Sequence, residues 1–323
     1  MLVRVRIGRA GGSSHPLMKA QAIYRIQSDP AIYLSIGTAN WRYLDHRGTD
    51  TGYLLAHPMW YLGLGGVWRY LREARALRRR NMVLILLNNS LREHRIARLC
   101  GLRSRFISQN MNVCEHAFRI RDEPKRWDAV YIAAAKPYKR LHLAGLVESL
   151  QVITYFWPDV RNAAGKWDLH AFEPAIRQAA FNEDWISDPE EIGRRVSASR
   201  CGLALSRKEG AMLGMMQYLY AGLPVVSTPS LGGRDVFLDP RYSVIVKPTA
   251  KAVRDGVREI LSRRIPPEQV RAAALARVDT ERRKLYALCR ELSGDPGGRY
   301  PDYASFHGHV WGGPEGLARI RIH

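Results

Sequence analysis

Short apolar runs recur along this chain, separated by longer stretches in which apolar residues return at helical spacing. In the first third, such runs occupy Val3–Ile7, Ala31–Ile36, Met82–Leu87 and Arg105–Ser108. Runs of four to eight residues bounded by turn formers read as strands, and the periodic stretches between them read as helices. The same rhythm resumes further on. Strands are expected at Ala129–Ala134, Val152–Phe156, Cys201–Leu205, Val225–Thr228 and Ser243–Lys247, with helices at His142–Leu150, Asp188–Ser199, Ala211–Tyr220 and Lys251–Arg263. Strand–helix alternation of this kind predicts parallel sheets covered by helices. Around Asp122–Arg126 the chain turns polar and carries a proline, which sets a boundary between a first domain, 1–124, and a second that begins at 125. There is no internal repeat and no low-complexity tract.

Composition narrows the class. With 323 residues, 46% hydrophobic and 25% charged, the chain reads as a globular protein of two medium domains. The four cysteines (Cys100, Cys114, Cys201 and Cys289) are widely spaced, which argues against a metal cluster and for reduced, cytoplasmic thiols. The opening MLVRVRIGR alternates charge with aliphatics, as a strand does and a signal peptide does not. No apolar run approaches the length of a membrane span.

Charge changes the picture more. The net charge is +20, and residues 1–124 hold 20 Lys and Arg against 8 Asp and Glu. Such a field attracts phosphate-rich partners. The segment Pro58–Arg80 concentrates it, with an aromatic first half (Trp60, Tyr61, Trp68, Tyr70) and a second half carrying Arg69, Arg72, Arg75, Arg78, Arg79 and Arg80. Read as one helix, it is either a solvated arginine face whose aromatics fill the core, or a basic surface for peripheral contact with an anionic membrane. Gly63, Gly65 and Gly66 interrupt a continuous amphipathic stripe and favour the first. Nucleic-acid binding is an alternative from another class. It lacks a helix-turn-helix, zinc-finger or RNA-recognition signature, and the aromatics are not interleaved with the basic residues.

The candidate chemistry lies in RCGLALSRKEGAMLGMMQYLYAGLPVVSTPSLGGR, residues 200–234. A strand runs into the turn Glu209-Gly210, then a helix, a Gly-Leu-Pro stop, a second strand and the loop Gly232-Gly233. A helix that starts just past a strand presents unbonded N–H groups and the positive end of its dipole to an anion. This stretch resembles the donor-binding half of the retaining nucleotide-sugar glycosyltransferases of GT-B fold. There a Glu-Gly turn precedes a second Glu by eight residues, and a small-Gly-x-Pro-Val-Val strand and a Gly-Gly loop follow. The resemblance covers about residues 105–262. It implies two Rossmann-like domains facing a cleft, a second domain spanning 125–285, and a tail, 286–323, that returns to the first. It also implies transfer from a nucleotide-diphosphate sugar to a glycan or a lipid-linked or phosphorylated acceptor, with retention of configuration. No Asp-x-Asp occurs, so the resemblance calls for no metal, and no further cofactor is expected.

Residue by residue, the resemblance places Glu209 on the donor sugar hydroxyls, and Glu209 is expected as an exposed turn residue. The second family Glu is replaced by Gln217, which accepts through its amide oxygen but without charge; eight helical residues would carry it about 12 Å along, toward the ribose diol. The family's cations on the donor diphosphate fall on Lys136 and Lys139, after the first strand of the second domain. Such cations stabilise negative charge that builds on the leaving group. Ser206, Gly210, Ala211, Gly232 and Gly233 belong to the donor loops, and Arg140 follows Lys139 as a further donor contact or as helix surface, with His142 beside it. The interdomain segment adds Asn110 and His116. Gly11–His15 sits where the family has a glycine-rich loop, and Asn40–Asp45 is polar and aromatic, with no role assigned. Two rival functions remain. One is a GT-B sugar-nucleotide epimerase; the other is a nucleic-acid or membrane-surface binder with a degenerate donor site, which Gln217 keeps open.

Overall fold

The computed structural model describes residues 22–37, 44, 50–154, 161–294, 300–313 and 315–322. The expected strand Val3–Ile7, the loop Gly11–His15 and, except for Leu44, the stretch Asn40–Asp45 lie outside them. The N-terminal sheet holds β1 (Ile23–Ser28), β2 (Ala31–Ile36), β3 (Gly52–His57), β4 (Met82–Asn88) and β5 (Ser104–Phe106), side by side in that order. Strands β2 to β5 are parallel, but β1 and β2 are antiparallel. Only Asp29 and Pro30 separate those two strands, and a parallel pair needs a crossover of a dozen residues or more. Neither β1 nor β3 was anticipated from the sequence pattern.

Helix α1 (Leu64–Arg78) joins β3 to β4 and α2 (Leu91–Leu99) joins β4 to β5. Both lie on the same face of the sheet, where Val67, Tyr70, Leu77 and Ala97 pack with Ile23, Leu54, Met82 and Leu86. The expected helix from Pro58 starts only at Leu64. Gly63 is its N-cap, and Pro58–Leu62 is an irregular approach that bends at Met59 and Trp60.

The second sheet contains β6 (Trp127–Ile132), β7 (Leu150–Ile153), β8 (Ala180–Phe181), β9 (Ser199–Ala204), β11 (Val225–Ser227) and β13 (Ser243–Ile245). All are parallel, in the order β13-β11-β9-β6-β7-β8. Helices α3 (Leu169–Phe172), α4 (Pro189–Ser197) and α5 (Leu213–Tyr220) lie between them in the chain, α6 (Ala250–Ser262) follows β13, and β10 (Lys208–Glu209) pairs with β12 (Leu231–Gly232) in a small parallel ribbon. Helix α5 seats directly on β9. A Cβ on Gly202 would fall 2.2 Å from Tyr218 Cδ2, so only glycine permits that approach.

Two expected elements differ. His142–Leu150 is not one helix: Leu141–Ala144 is a short 3-10 turn, and Leu150 opens β7. Arg140 in left-handed conformation starts that turn, and Gly145 ends it against the carbonyl of Ala175. Strand β7 therefore begins two residues before Val152, and Tyr155 and Phe156 lie outside the described residues.

Helix α7 (Pro267–Ser293) runs unbroken through residue 285 and is followed by α8 (Tyr303–Trp311). Its second half lies against the N-terminal sheet. Glu281 accepts from Ser108 N at 2.8 Å, Arg282 pairs with Glu115 at 2.8 Å, and Glu291 pairs with Arg105 at 2.6 Å. Tyr300 donates to Ile26 O at 2.6 Å, and Ile322 N bonds Ile23 O at 2.9 Å. The end of the chain thus covers β1 and the face of the sheet opposite α1 and α2.

Candidate functional site

Counted within its own sheet, the second half has the strand order 3-2-1-4-5-6, which reverses between β6 and β9. Ligands of open parallel sheets sit beyond the strand C-termini at such a reversal, because the flanking loops diverge there. The loops at this point are 133–140 after β6 and 205–212 after β9. Between them and the N-terminal half lies a cavity of about 490 Å³. Its floor comes from Ile132, Ala134, Lys136, Tyr138 and Lys139; one wall is Glu209, Ala211, Met212, Leu213, Gly214 and Gln217; the opposite wall is Met59, Trp60 and Gln109. A second cavity, about 530 Å³, lies between Val236–Tyr242 and α7. It adjoins the N-terminal end of β13 and not the strand C-termini. Its one carboxylate, Asp239, is bonded by Arg241, which holds its pKa at about 2.

Lys139 and Glu209 form a buried ion pair on the cavity wall, their side chains 6% and 8% exposed. Burying either charge alone would cost several kcal/mol, so each requires the other. Lysine has three donors, and one pairing with Glu209 leaves capacity for a further anion. The loop that carries Lys139 is itself fixed: Tyr131 donates to Lys139 O at 2.6 Å.

Two arginines hold the strand ends around this pair. Arg234, wholly buried, donates to Ser206 O at 2.8 Å, to Asp235 at 3.1 Å and to Thr228 O. Arg140 donates to Leu205 O at 2.6 Å and to Thr228 Oγ1 at 2.8 Å. Helix α5 starts at the cavity with no side-chain cap, and Met212, Leu213 and Gly214 of its first turn line the space. Uncapped first-turn N–H groups with the helix dipole behind them favour an anion. Farther along α5, the buried Oε1 of Gln217 has no hydrogen-bond partner among the described residues.

The halves meet through glycines. A Cβ on Gly210 would lie 2.5 Å from Met59 O, and one on Gly233 would lie 2.3 Å from Asn89 Cβ. Asn89 ties the opposite wall together, donating to Pro58 O at 3.2 Å and accepting from Gln109 N at 2.8 Å. His57, wholly buried at the end of β3, donates from Nδ1 to Leu87 O at 3.1 Å. Burial depresses its pKa to about 4, so the ring is neutral at physiological pH.

No family model matches the chain, and no curated protein matches it in sequence. Solved structures do match. Sucrose-phosphate synthase from Thermosynechococcus elongatus is 17% identical over 75% of this chain and 68% of its own, with TM-score 0.55. HepE of Anabaena, solved with UDP, is 12% identical over 74% and 72%, with TM-score 0.58. The pneumococcal O-GlcNAc transferase GtfA, solved with UDP and GlcNAc, is 10% identical over 76% and 53%, with TM-score 0.56. The chain has the GT-B fold.

Within that GT-B fold, Lys136, Lys139, Glu209, Ala211 and Gln217 converge on one cavity. Ser206, Gly210, Gly232, Gly233, Arg140 and Asn110 sit behind it as its frame. Ser206 is fully buried and bonded by Arg234; Gly232 pairs with Glu209 in the small ribbon; Gly233 N bonds Gly210 O at 2.7 Å; Asn110 donates to Ala211 O at 2.9 Å. His116 is exposed on the segment between the sheets and lines no part of the cavity. Three expectations need correction. Glu209 is buried, because Lys139 meets it; the sequence shows the turn but not its partner 70 residues away. Helix α5 begins at Leu213, not Ala211, so Glu209 and Gln217 are not joined by eight helical residues and the 12 Å rise does not apply. Trp60 faces the cleft, where it meets the Tyr138 ring at 6.0 Å, and does not fill the core. Met59, Trp60, Gln109, Tyr138 and Arg234 were missed as site residues. Pro58 followed by the glycines at 63, 65 and 66 was the available signal that Met59 and Trp60 belong to a loop.

Proposed function

We propose that the chain is a glycosyltransferase that binds a nucleotide-diphosphate sugar in the cleft and passes the sugar to a glycan or to a lipid-linked or phosphorylated acceptor. The observation that carries the reading is the buried Lys139–Glu209 pair, set on the cavity wall at the strand-order reversal of a GT-B fold. UDP in HepE and in GtfA fits the same reading. We divide the chain at 124/125, with residues from 286 onward serving as the strap back to the first domain.

In this reading the diphosphate lies across Lys136, Lys139 and the start of α5, and Glu209 accepts hydrogen bonds from the sugar hydroxyls. Gln217 accepts from the ribose through the amide oxygen that has no partner among the described residues. As the sugar leaves, the bond from its anomeric carbon to the diphosphate oxygen breaks, and charge accumulates on that oxygen. Lys136, Lys139 and the α5 dipole are in place before the reaction, which is what makes such stabilisation effective. A bond then forms from the anomeric carbon to the acceptor oxygen on the same face, and the acceptor proton passes to the departing phosphate. Retention of configuration follows from that shared face.

An epimerase needs an acid and a base flanking the sugar. Glu209 is the one carboxylate among the described residues lining the cavity and is already paired with Lys139, which favours transfer. The test is a panel of UDP-, GDP- and ADP-sugars assayed for thermal stabilisation and for release of the nucleoside diphosphate. At least one donor should stabilise the protein and be turned over, and Glu209→Gln should abolish turnover. A protein that none of them stabilises is not a sugar-nucleotide enzyme.

A further inference from the structure

The outer layer of the N-terminal half is built unlike the rest of the surface. Residues 64–103, which include α1 and α2, contain ten arginines and two glutamates, with no lysine or aspartate. Both glutamates are engaged: Glu73 lies 3.9 Å from Arg69, and buried Glu93 accepts from the hydroxyl of Ser90, the N-cap of α2, and from Leu62 N, each at 2.7 Å. Arg72, Arg75, Arg78, Arg79, Arg92, Arg95, Arg98 and Arg103 have no carboxylate partner among the described residues, and all are exposed. Their field reaches inward. Burial depresses the pKa of His94, and the charges of Arg98, Arg105 and Arg95 depress it further.

Charge alone would suit any polyanion. What selects among them is the apolar part of the same layer. Leu64 is 78% exposed, Trp68 67% and Leu99 88%. On α1 the spacing 64, 68, 72, 75, 79 follows one face, so Leu64 and Trp68 lead directly into the stripe Arg72, Arg75, Arg79. The glycines do not break this face, because Gly63 is the N-cap and Gly65 and Gly66, in the first turn, are not among its positions. Between α1 and the turn after α2, a cavity of about 170 Å³ has an apolar floor that includes Leu71 and Leu102 and a rim of Arg75, Arg78 and Arg103. A nucleic-acid backbone would use the arginines but has no place for exposed leucines. An interface of phosphate head groups over acyl chains uses both: arginines lie along it with their stems in the apolar zone, and tryptophan settles at its boundary.

We propose that the outer face of α1 and α2 docks on an anionic phospholipid bilayer, with the phosphates on the arginines and with Leu64, Trp68 and Leu99 in the acyl boundary. The N-terminal end of α1 lies next to Trp60 at the rim of the cavity, so docking brings the mouth of the cleft to the membrane. There it would meet an acceptor held on a lipid; this last step rests on the transferase reading above, whereas the docking itself does not. No described helix is long and apolar enough to cross a membrane, so contact would be peripheral.

Vesicle sedimentation tests the proposal, using phosphatidylglycerol mixed with phosphatidylcholine against phosphatidylcholine alone. The full chain should bind the anionic vesicles about tenfold or more tightly than the neutral ones, and less tightly as salt is raised. Arg72→Glu/Arg75→Glu/Arg79→Glu should remove that preference, and Leu64→Ser/Trp68→Ser should weaken binding to the anionic vesicles. Both variants should keep the thermal stabilisation given by the donor sugar, since none of those residues lines the cavity. Equal binding to both vesicle types, or binding that neither variant changes, overturns the proposal. So does an oligonucleotide duplex that wild type binds and the arginine variant loses while vesicle binding stays the same. A protein that binds anionic vesicles but no sugar nucleotide supports the docking face and refutes the transferase reading alone.

Discussion

In the cleft, every buried cation is answered. Lys139 faces Glu209, Arg234 spends its donors on Ser206, Thr228 and Asp235, and Arg140 bonds Leu205 and Thr228. On the outside of α1 and α2 the arginines are crowded and exposed and, Arg69 aside, without carboxylate partners among the described residues. The difference follows from solvent. A buried charge forfeits hydration worth several kcal/mol and must recover it from the protein, whereas an exposed one keeps its water and waits for a partner outside. Charges of the first kind organise a site within the molecule. Those of the second kind point to something beyond it.

The contrast breaks most sharply at Lys139. Lys139→Ala should cost about 3 to 5 kcal/mol of stability, because Glu209 is left buried and unpaired. Donor turnover should be lost with it. Lys139→Met/Glu209→Leu should regain most of that stability without regaining turnover. Chemical denaturation alongside a nucleotide-release assay reads both quantities. A single variant as stable as wild type would mean that water reaches the pair.

His57 gives the same lesson through pH. Its folded-state pKa lies below the unfolded value of 6.5, at about 4, so the unfolded chain takes up a proton first as pH falls. Its stabilising contribution is complete above pH 6.5 and declines as the pH drops toward about 4, for a total of about 3 kcal/mol. Urea unfolding of wild type and His57→Gln across that window should show wild type losing more stability. Parallel curves would contradict a buried neutral ring.

Smaller effects sharpen the contrast. Gln217→Glu should tighten binding of the nucleoside diphosphate by about 1 kcal/mol, by offering the ribose a charged acceptor. Unchanged or weaker binding in calorimetry would place the ribose elsewhere. Smallest of all is the effect of Arg72→Glu/Arg75→Glu/Arg79→Glu on folding. Each exposed site is worth about 0.5 kcal/mol or less, so the melting temperature should barely move. A large drop would show that the outer arginines are structural after all.

Much of the second half was legible before the structure because its signals are local. Glu209-Gly210, the Gly-Leu-Pro stop after Tyr220 and Gly232-Gly233 mark turns and strand ends by their own chemistry, and β9, α5 and β11 fall where they point. The first half was harder to read. Strand β3 is a six-residue apolar run that does not alternate, and β1 is recognisable chiefly from its hairpin partner β2. Helix α7, the longest, was missed outright; its buried positions are spread among many charged residues, and it serves two sheets at once. What no local pattern carries is pairing at a distance. The burial of Glu209 depends on Lys139, and the seating of Gly233 depends on Asn89.

On the reading proposed above, the Lys139–Glu209 wall is a donor site and not merely a brace. Calorimetric titration of UDP, the nucleotide in HepE and GtfA, into wild type and into Lys139→Met/Glu209→Leu tests it most directly. Unfolding curves of both proteins establish first that the double variant is folded. Wild type should bind UDP with saturation at one site, and the folded double variant should bind at least about tenfold more weakly, a loss of about 1.4 kcal/mol. Equal affinity in the two proteins would contradict the claim and leave the pair a purely structural contact.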